Sequence, residues 1–285
     1  MPATILTRTG ALIIELQVGI HAQHSTMGCC PFSHLWQLEN PVLRPVQCAD
    51  AEEGLRAGAY AVDITPQEFP VSSNGNMSDR QATVAHDPLH ARCLVLHNGE
   101  ASLAIVVCDS CMILRATSST RPCSPRSGRE FRSPTWLMSA THAHSAVTVT
   151  GVFQSEPESR YREFLVQRIA DGIEQAHKQY QLARIGWTIA EDPTQVFNRR
   201  WFTKAGVENK DPFGKTGATV RMNPGFSKEV NDRPSGPIDP QIGLLAVQNL
   251  DGTPIALLAN YSPHAAGGEP KRTACPPITS PSLPT

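Results

Sequence analysis

The chain has 285 residues, of which 40% are hydrophobic, enough to bury one sizeable core with room for a small extra lobe. Lys and Arg number 25 against 26 Asp and Glu, and this near-neutral balance argues against an electrostatic nucleic-acid surface. No apolar run reaches the ~18 residues of a transmembrane helix, whereas a lipid-like substrate stays compatible because lipids are held in apolar pockets.

Residues 1–54 show no sustained period and read as a leader or disordered extension. Within them Arg8 precedes the apolar Gly10–Ile14, but Glu15 interrupts the run. That is a weak export signal, so the compartment stays open between cytoplasmic and exported. Order is expected from Gly58-Ala59-Tyr60-Ala61-Val62-Asp63-Ile64, a strand that Thr65-Pro66 stops. Asp63 before Thr-Pro reads first as a turn residue. Arg92–His97 and Ser102–Val107 form a hairpin around Asn98-Gly99. The second of these strands is apolar throughout and therefore central.

Residues 115–134 carry five Arg, three Pro and five Ser with almost no apolar face, where a crossover helix is expected. Trp136-Leu137-Met138 reads as a further buried strand. Residues 157–180 form the clearest helix, with Phe164, Leu165, Ile169, Ile173, Ala176 and Tyr180 on one face. A strand follows over Ala183–Ile189, and Gly243–Gln248 pairs with Ile255–Asn260 around Asp251-Gly252. Residues 271–285 are proline-rich and aperiodic, consistent with a frayed terminus. The composition of 115–134 and 271–285 beside a well-patterned core also raises out-of-frame translation. These elements predict an α/β fold, a mixed β-sheet core flanked by helices forming an incomplete single domain over 55–264, with an irregular tail over 265–285.

The chemistry concentrates in histidines. His142 and His144 follow the strand at Trp136–Met138, and two residues apart on extended chain they point to one side. His86 and His90 form an upstream cluster, and His264 follows a buried-looking strand. Three histidine clusters at strand ends suit a metal, with zinc preferred for imidazole donors. The eight cysteines read as ordinary buried thiols. Cys108-Asp109-Ser110-Cys111 has C-x-x-C spacing but no second pair to complete a structural zinc site. Asp109 lies at the end of a central strand, where both a structural and a ligand-lining role are open. Asp239 before Pro240 reads as a turn-former. Ser145 follows His144 on the opposite face, so the two do not pair as nucleophile and base. Arg199 and Arg200 are either a solvated basic pair or an anchor for a polar substrate group. Phe197, Trp201 and Phe202 around them are either packing or the wall of an apolar pocket.

Several short pieces, in order, resemble the N-terminal catalytic domain of the neutral/alkaline non-lysosomal ceramidases. They are Asp63-Ile64-Thr65-Pro66, His86 followed by Ala91-Arg92, the strand Ala104–Asp109, Ala140-Thr141-His142-Ala143-His144-Ser145, Asn198-Arg199, Ile238-Asp239-Pro240-Gln241 and Pro263-His264. The resemblance implies a zinc-dependent hydrolase of linear amide bonds, acting on a small lipid-like N-acyl substrate, with one Zn2+. It implies His86 and His144 as metal ligands, His142 in the same cleft, and Asn198 and Arg199 in contact with substrate. Where the family motif runs N-R-S, with the serine as nucleophile, this chain has Arg200, so water at the metal would have to serve instead. The family's carboxylate and tyrosine ligands lie downstream of residue 285, so an impaired enzyme and a non-catalytic fragment are both expected readings. The oligomeric state is left open.

Overall fold

The computed structural model describes residues 12–16, 47–49, 54–113 and 135–263, apart from Asn76, Pro212 and Phe226. The Arg/Pro/Ser-rich stretch at 115–134, His264, the tail at 271–285 and most of the extension before residue 54 lie outside the described residues. The strands in chain order are β1 (Leu12–Leu16), β2 (Gln47–Ala49), β3 (Arg56–Asp63), β4 (Val71–Ser73), β5 (Arg80–Ala82), β6 (His90–His97), β7 (Ser102–Cys108) and β8 (Thr135–Ala140). The helix α1 (Ser159–Lys178) follows. Then come β9 (Gln181–Glu191), β10 (Arg200–Thr203), β11 (Val220–Met222), β12 (Asn231–Pro234), β13 (Gln241–Asn249) and β14 (Pro254–Asn260).

A nine-stranded sheet in the order β1-β14-β13-β9-β3-β6-β7-β8, with β2 also on β9, forms the core. It is mixed: β7–β8 and β1–β14 are parallel and the other pairs antiparallel. The period of two decides which side chain faces which layer. On β6 and β7, Cys93, Val95, Ala104, Val106 and Cys108 join the core under α1, with Leu165, Ile169, Ile173 and Ala176. Leu94, Ile105 and Val107 alternate to the opposite face, with Ala57, Ala183 and Val247. Complete burial of each large side chain contributes about 1.5–3 kcal/mol, which holds the helix to the sheet.

The expected strands and helix are present, each within a few residues of its predicted span, but β8 is a part-exposed edge strand rather than a buried one, with Leu137 55% exposed. Asn98 closes the β6–β7 loop by accepting from the amides of Glu100 and Ala101. Asp63 caps the end of β3, its Oδ1 accepting the Thr65 amide at 2.7 Å. Asp239 does the same for Gln241 at 3.1 Å. The α/β reading with a mixed sheet holds, but among the described residues one α-helix covers one face, fewer helices than "flanked" anticipates. Two small sheets were not foreseen, the hairpin β4–β5 and the triplet β11-β10-β12. Their strands are three or four residues long, too short for a hydrophobic period to register.

Candidate metal centre

The centre lies where β7 and β8 end. Parallel strands finish side by side, and their outgoing loops keep pairing. The Thr141 amide donates to the Cys108 carbonyl at 2.9 Å, and the Ala143 amide to the Ser110 carbonyl at 3.1 Å. This brings the loop after β7 against the loop after β8, at the carboxyl edge where ligand crevices form in such sheets. Ala143, Ala146, Val147 and Val149 anchor the second loop in the core beneath α1.

His142 and His144 do converge, but not by strand alternation. β8 stops at Ala140, and His142 adopts φ 59°, in the left-handed region. Such a conformation is disfavoured for a residue with a Cβ and clusters at functional sites. It turns the two rings to face each other edge-on, with centroids 4.7 Å apart and planes at 80°. Their Nε2 atoms stand 3.1 Å apart. Nδ1 of His142 lies 2.9 Å from the Cys111 carbonyl and as an N–H donates to it, which leaves Nε2 as that ring's acceptor.

A third element fixes His144. After β4, Asn74 donates its amide to the Ala146 carbonyl and its Nδ2 to the Thr150 carbonyl, and its Oδ1 accepts from Gly75. Ser72 and Thr148 join the same two segments through their hydroxyls, 2.9 Å apart. Gly75, at φ +96°, is thereby laid directly on His144. Burial lowers the pKa of His144, the neighbouring His142 and Arg199 add to the effect, and a hydrogen bond to the Gly75 backbone opposes it. The imidazole is therefore biased toward the neutral, ligating form.

Cys111, His142 and His144 offer one donor atom each within 4.8 Å of one another. Two nitrogens bonded to one tetrahedral zinc at ~2.0–2.1 Å stand about 3.3 Å apart. The Nε2 separation of 3.1 Å is close to that of a ligand pair, though it also suits a hydrogen bond between the rings. Each histidine has a backbone partner, the arrangement that orients metal-binding imidazoles. The residues present fit a zinc ion.

The other expected site residues are distributed differently. His86 is exposed, and its Nδ1 pairs with Asp87 at 2.9 Å; it is not one of the three clustered donors. Asn198 is engaged in turn geometry: its Nδ2 donates to the Pro237 carbonyl and its Oδ1 accepts the Arg200 amide. Arg199 is exposed, is held through Nε by Asn223 Oδ1 at 3.0 Å, and lies close enough for its charge to act on His144. Arg200 begins β10 and is exposed. Phe197 is also exposed, whereas Trp201 and Phe202 are half-buried, the latter under the Arg233 guanidinium. Asp109 is structural, accepting from Arg92 at 2.7 Å and from the His90 amide at 2.9 Å. Sequence reasoning overlooked Gly75 and set Cys111 aside; the C-x-x-C spacing was the signal for the latter.

Two of its structural neighbours are ceramidases. One is a crystal structure of neutral ceramidase from Pseudomonas aeruginosa, 18% identical with a TM-score of 0.48, matched over 72% of this chain and 31% of that one. The other is a ceramidase complexed with C2, 19% identical with a TM-score of 0.47, matched over 72% and 30%. The chain thus spans under a third of the length of either. No family profile matches the chain, and no curated protein does.

Proposed function

We propose that the chain is a ceramidase-like, zinc-dependent hydrolase domain acting on linear amide bonds of small lipid-like substrates. The observation that carries this is the convergence of the His142 and His144 Nε2 atoms, 3.1 Å apart, at the carboxyl ends of two parallel strands. The ordered motifs from Asp63 to His264 that resemble the ceramidases supply the reaction class.

A zinc ion held there supplies Lewis acidity toward an amide carbonyl and activates water. The chain's own residues do the rest. The Cys111 carbonyl and the Gly75 backbone fix the two rings. Arg199, whose charge acts on His144, would add positive charge toward a substrate carbonyl polarised there. The exposed edge of His142 leaves the pair open to substrate. His86, exposed and paired with Asp87, stands outside the clustered donors.

The second reading, a metal-binding domain without turnover, is favoured by Arg200 at the place of the ceramidase serine. One experiment separates them. The full chain, stripped and reloaded with zinc, is assayed for zinc content and for release of fatty acid from a fluorescent N-acyl sphingosine. One zinc per chain with hydrolysis, both lost in His142→Ala and His144→Ala, supports the hydrolase. Zinc bound without hydrolysis leaves the second reading. Absence of zinc overturns both.

A further inference from the structure

The ceramidase resemblance assigns no role to a cysteine, yet the fold delivers one to the histidine pair. Cys111 is on the loop leaving β7, is 4% exposed, and has a free thiol. Its carbonyl accepts from His142 Nδ1, so its backbone is already tied to the ring. Its Sγ lies 3.9 Å from Nδ1 of His142, and Cys111, His142 and His144 each offer a donor atom to one cluster. The other cysteine of the C-x-x-C pair behaves differently. Cys108 is 0% exposed, at the end of β7, and its side chain is packed in the core under α1 with Cys93 and Val106. One thiol of the motif is core packing; the other faces imidazoles.

We propose that Cys111 is a metal ligand, its thiolate completing a set of one sulfur and two imidazole nitrogens with His142 and His144. This rests on the metal-site reading above and specifies it. As the sulfur–metal bond forms, the thiol proton passes to solvent. Thiolate and imidazole donors select zinc or cobalt over magnesium or calcium, which require oxygen. A zinc held by these three ligands would keep an open coordination position for water or a substrate oxygen, and His142 is exposed to solvent. Cys111 forms the buried floor of the site and the histidines its rim.

Cobalt(II) tests this directly, because a thiolate bound to cobalt gives an intense near-ultraviolet charge-transfer band that imidazole and water do not. The full chain, stripped of metal, is titrated with Co2+ and then with Zn2+ in competition. The proposal expects the band in the parent protein and its loss in Cys111→Ser. The variant retains weaker cobalt binding through the histidines, its zinc affinity falling by about a hundredfold or more, since even partners outside the coordination sphere are worth ~10–100-fold. Circular dichroism and thermal unfolding of the metal-free proteins establish that Cys111→Ser folds; if it does not, Cys111→Ala and the band of the parent protein decide. Cobalt bound without a charge-transfer band, or a band that survives the loss of Cys111, overturns the assignment and leaves the histidine site standing. A protein that binds neither metal overturns the assignment and the metal-site reading together.

Discussion

Gly75 lies directly on His144: a Cβ placed on Gly75 would stand 2.5 Å from Cγ, 2.6 Å from Cβ and 2.7 Å from Cα of the histidine. No rotamer of His144 relieves a clash with its own Cα, so the histidine's position requires a glycine there. The positive φ of 96° at Gly75 imposes the same requirement independently. Gly75→Ala is expected to destabilise the fold by about 1–3 kcal/mol. It should also weaken zinc binding by ~10-fold or more through displacement of the ring. Urea unfolding and competition with a chromophoric chelator measure the two effects. Unchanged zinc affinity would show that Gly75 does not position the ligand.

Arg92 and Asp109 form an ion pair at 2.7 Å, with side chains 18% and 3% exposed. Asp109 also accepts the His90 amide, so it ties the start of β6 to the end of β7. Removing one partner strands a charge away from water, and Arg92→Met should cost about 3–5 kcal/mol. Replacing both, as Arg92→Met with Asp109→Leu, should recover part of that loss. A double-mutant cycle in urea decides the matter, and strictly additive losses would show that the pair does not interact.

Helix α1 packs tightly on the sheet at Gly58, where an added Cβ would fall 2.0 Å from the Ala176 carbonyl oxygen. That contact is with backbone, so the last turns of the helix would have to lift. Gly58→Ala is expected to cost about 3 kcal/mol or more, at the upper end of overpacking effects. Thermal unfolding reads this directly, and a shift within error of zero would refute the close packing.

Burial holds the pKa of His90 below its ordinary value of 6.5; Arg92 adds to the effect, and Asp109 and Asp63 oppose it. Below 6.5 the unfolded chain therefore takes up the proton more readily than the folded one. This group costs no stability above that value, and the loss grows as the pH falls from it through the lower pKa of the folded state. Urea midpoints measured from about pH 7 down to about pH 5 should fall, and His90→Gln should flatten the slope. An unchanged slope in the variant would assign the acid sensitivity to other groups; His144, also lowered by burial, acts with the same sign.

Much of the sheet is legible along the chain. The alternation in β6 and β7, the Asn98-Gly99 and Asp251-Gly252 turns and the helical period of 157–180 are local patterns, each set by a few neighbouring residues. The histidine pair is legible as well, because its two members are two residues apart. Its geometry is not, because it combines a left-handed turn at His142 with a ring held by the Cys111 carbonyl 31 positions away. Gly75, Cys111 and His144 are separated by 36 and 33 positions, and no sequence period links them. They meet because β7 and β8 run parallel and end together, and because the segment after β4 pairs with the loop after β8. The chain by itself determined the longer strands, the helix and their turns, since those depend on side-chain period and backbone preference; the short strands, β1 and β2 among them, carry no such period. Which donor atoms share a site was decided only by strand order and register, which are tertiary quantities: a thiol and two imidazoles converge only once the loops that carry them are packed side by side.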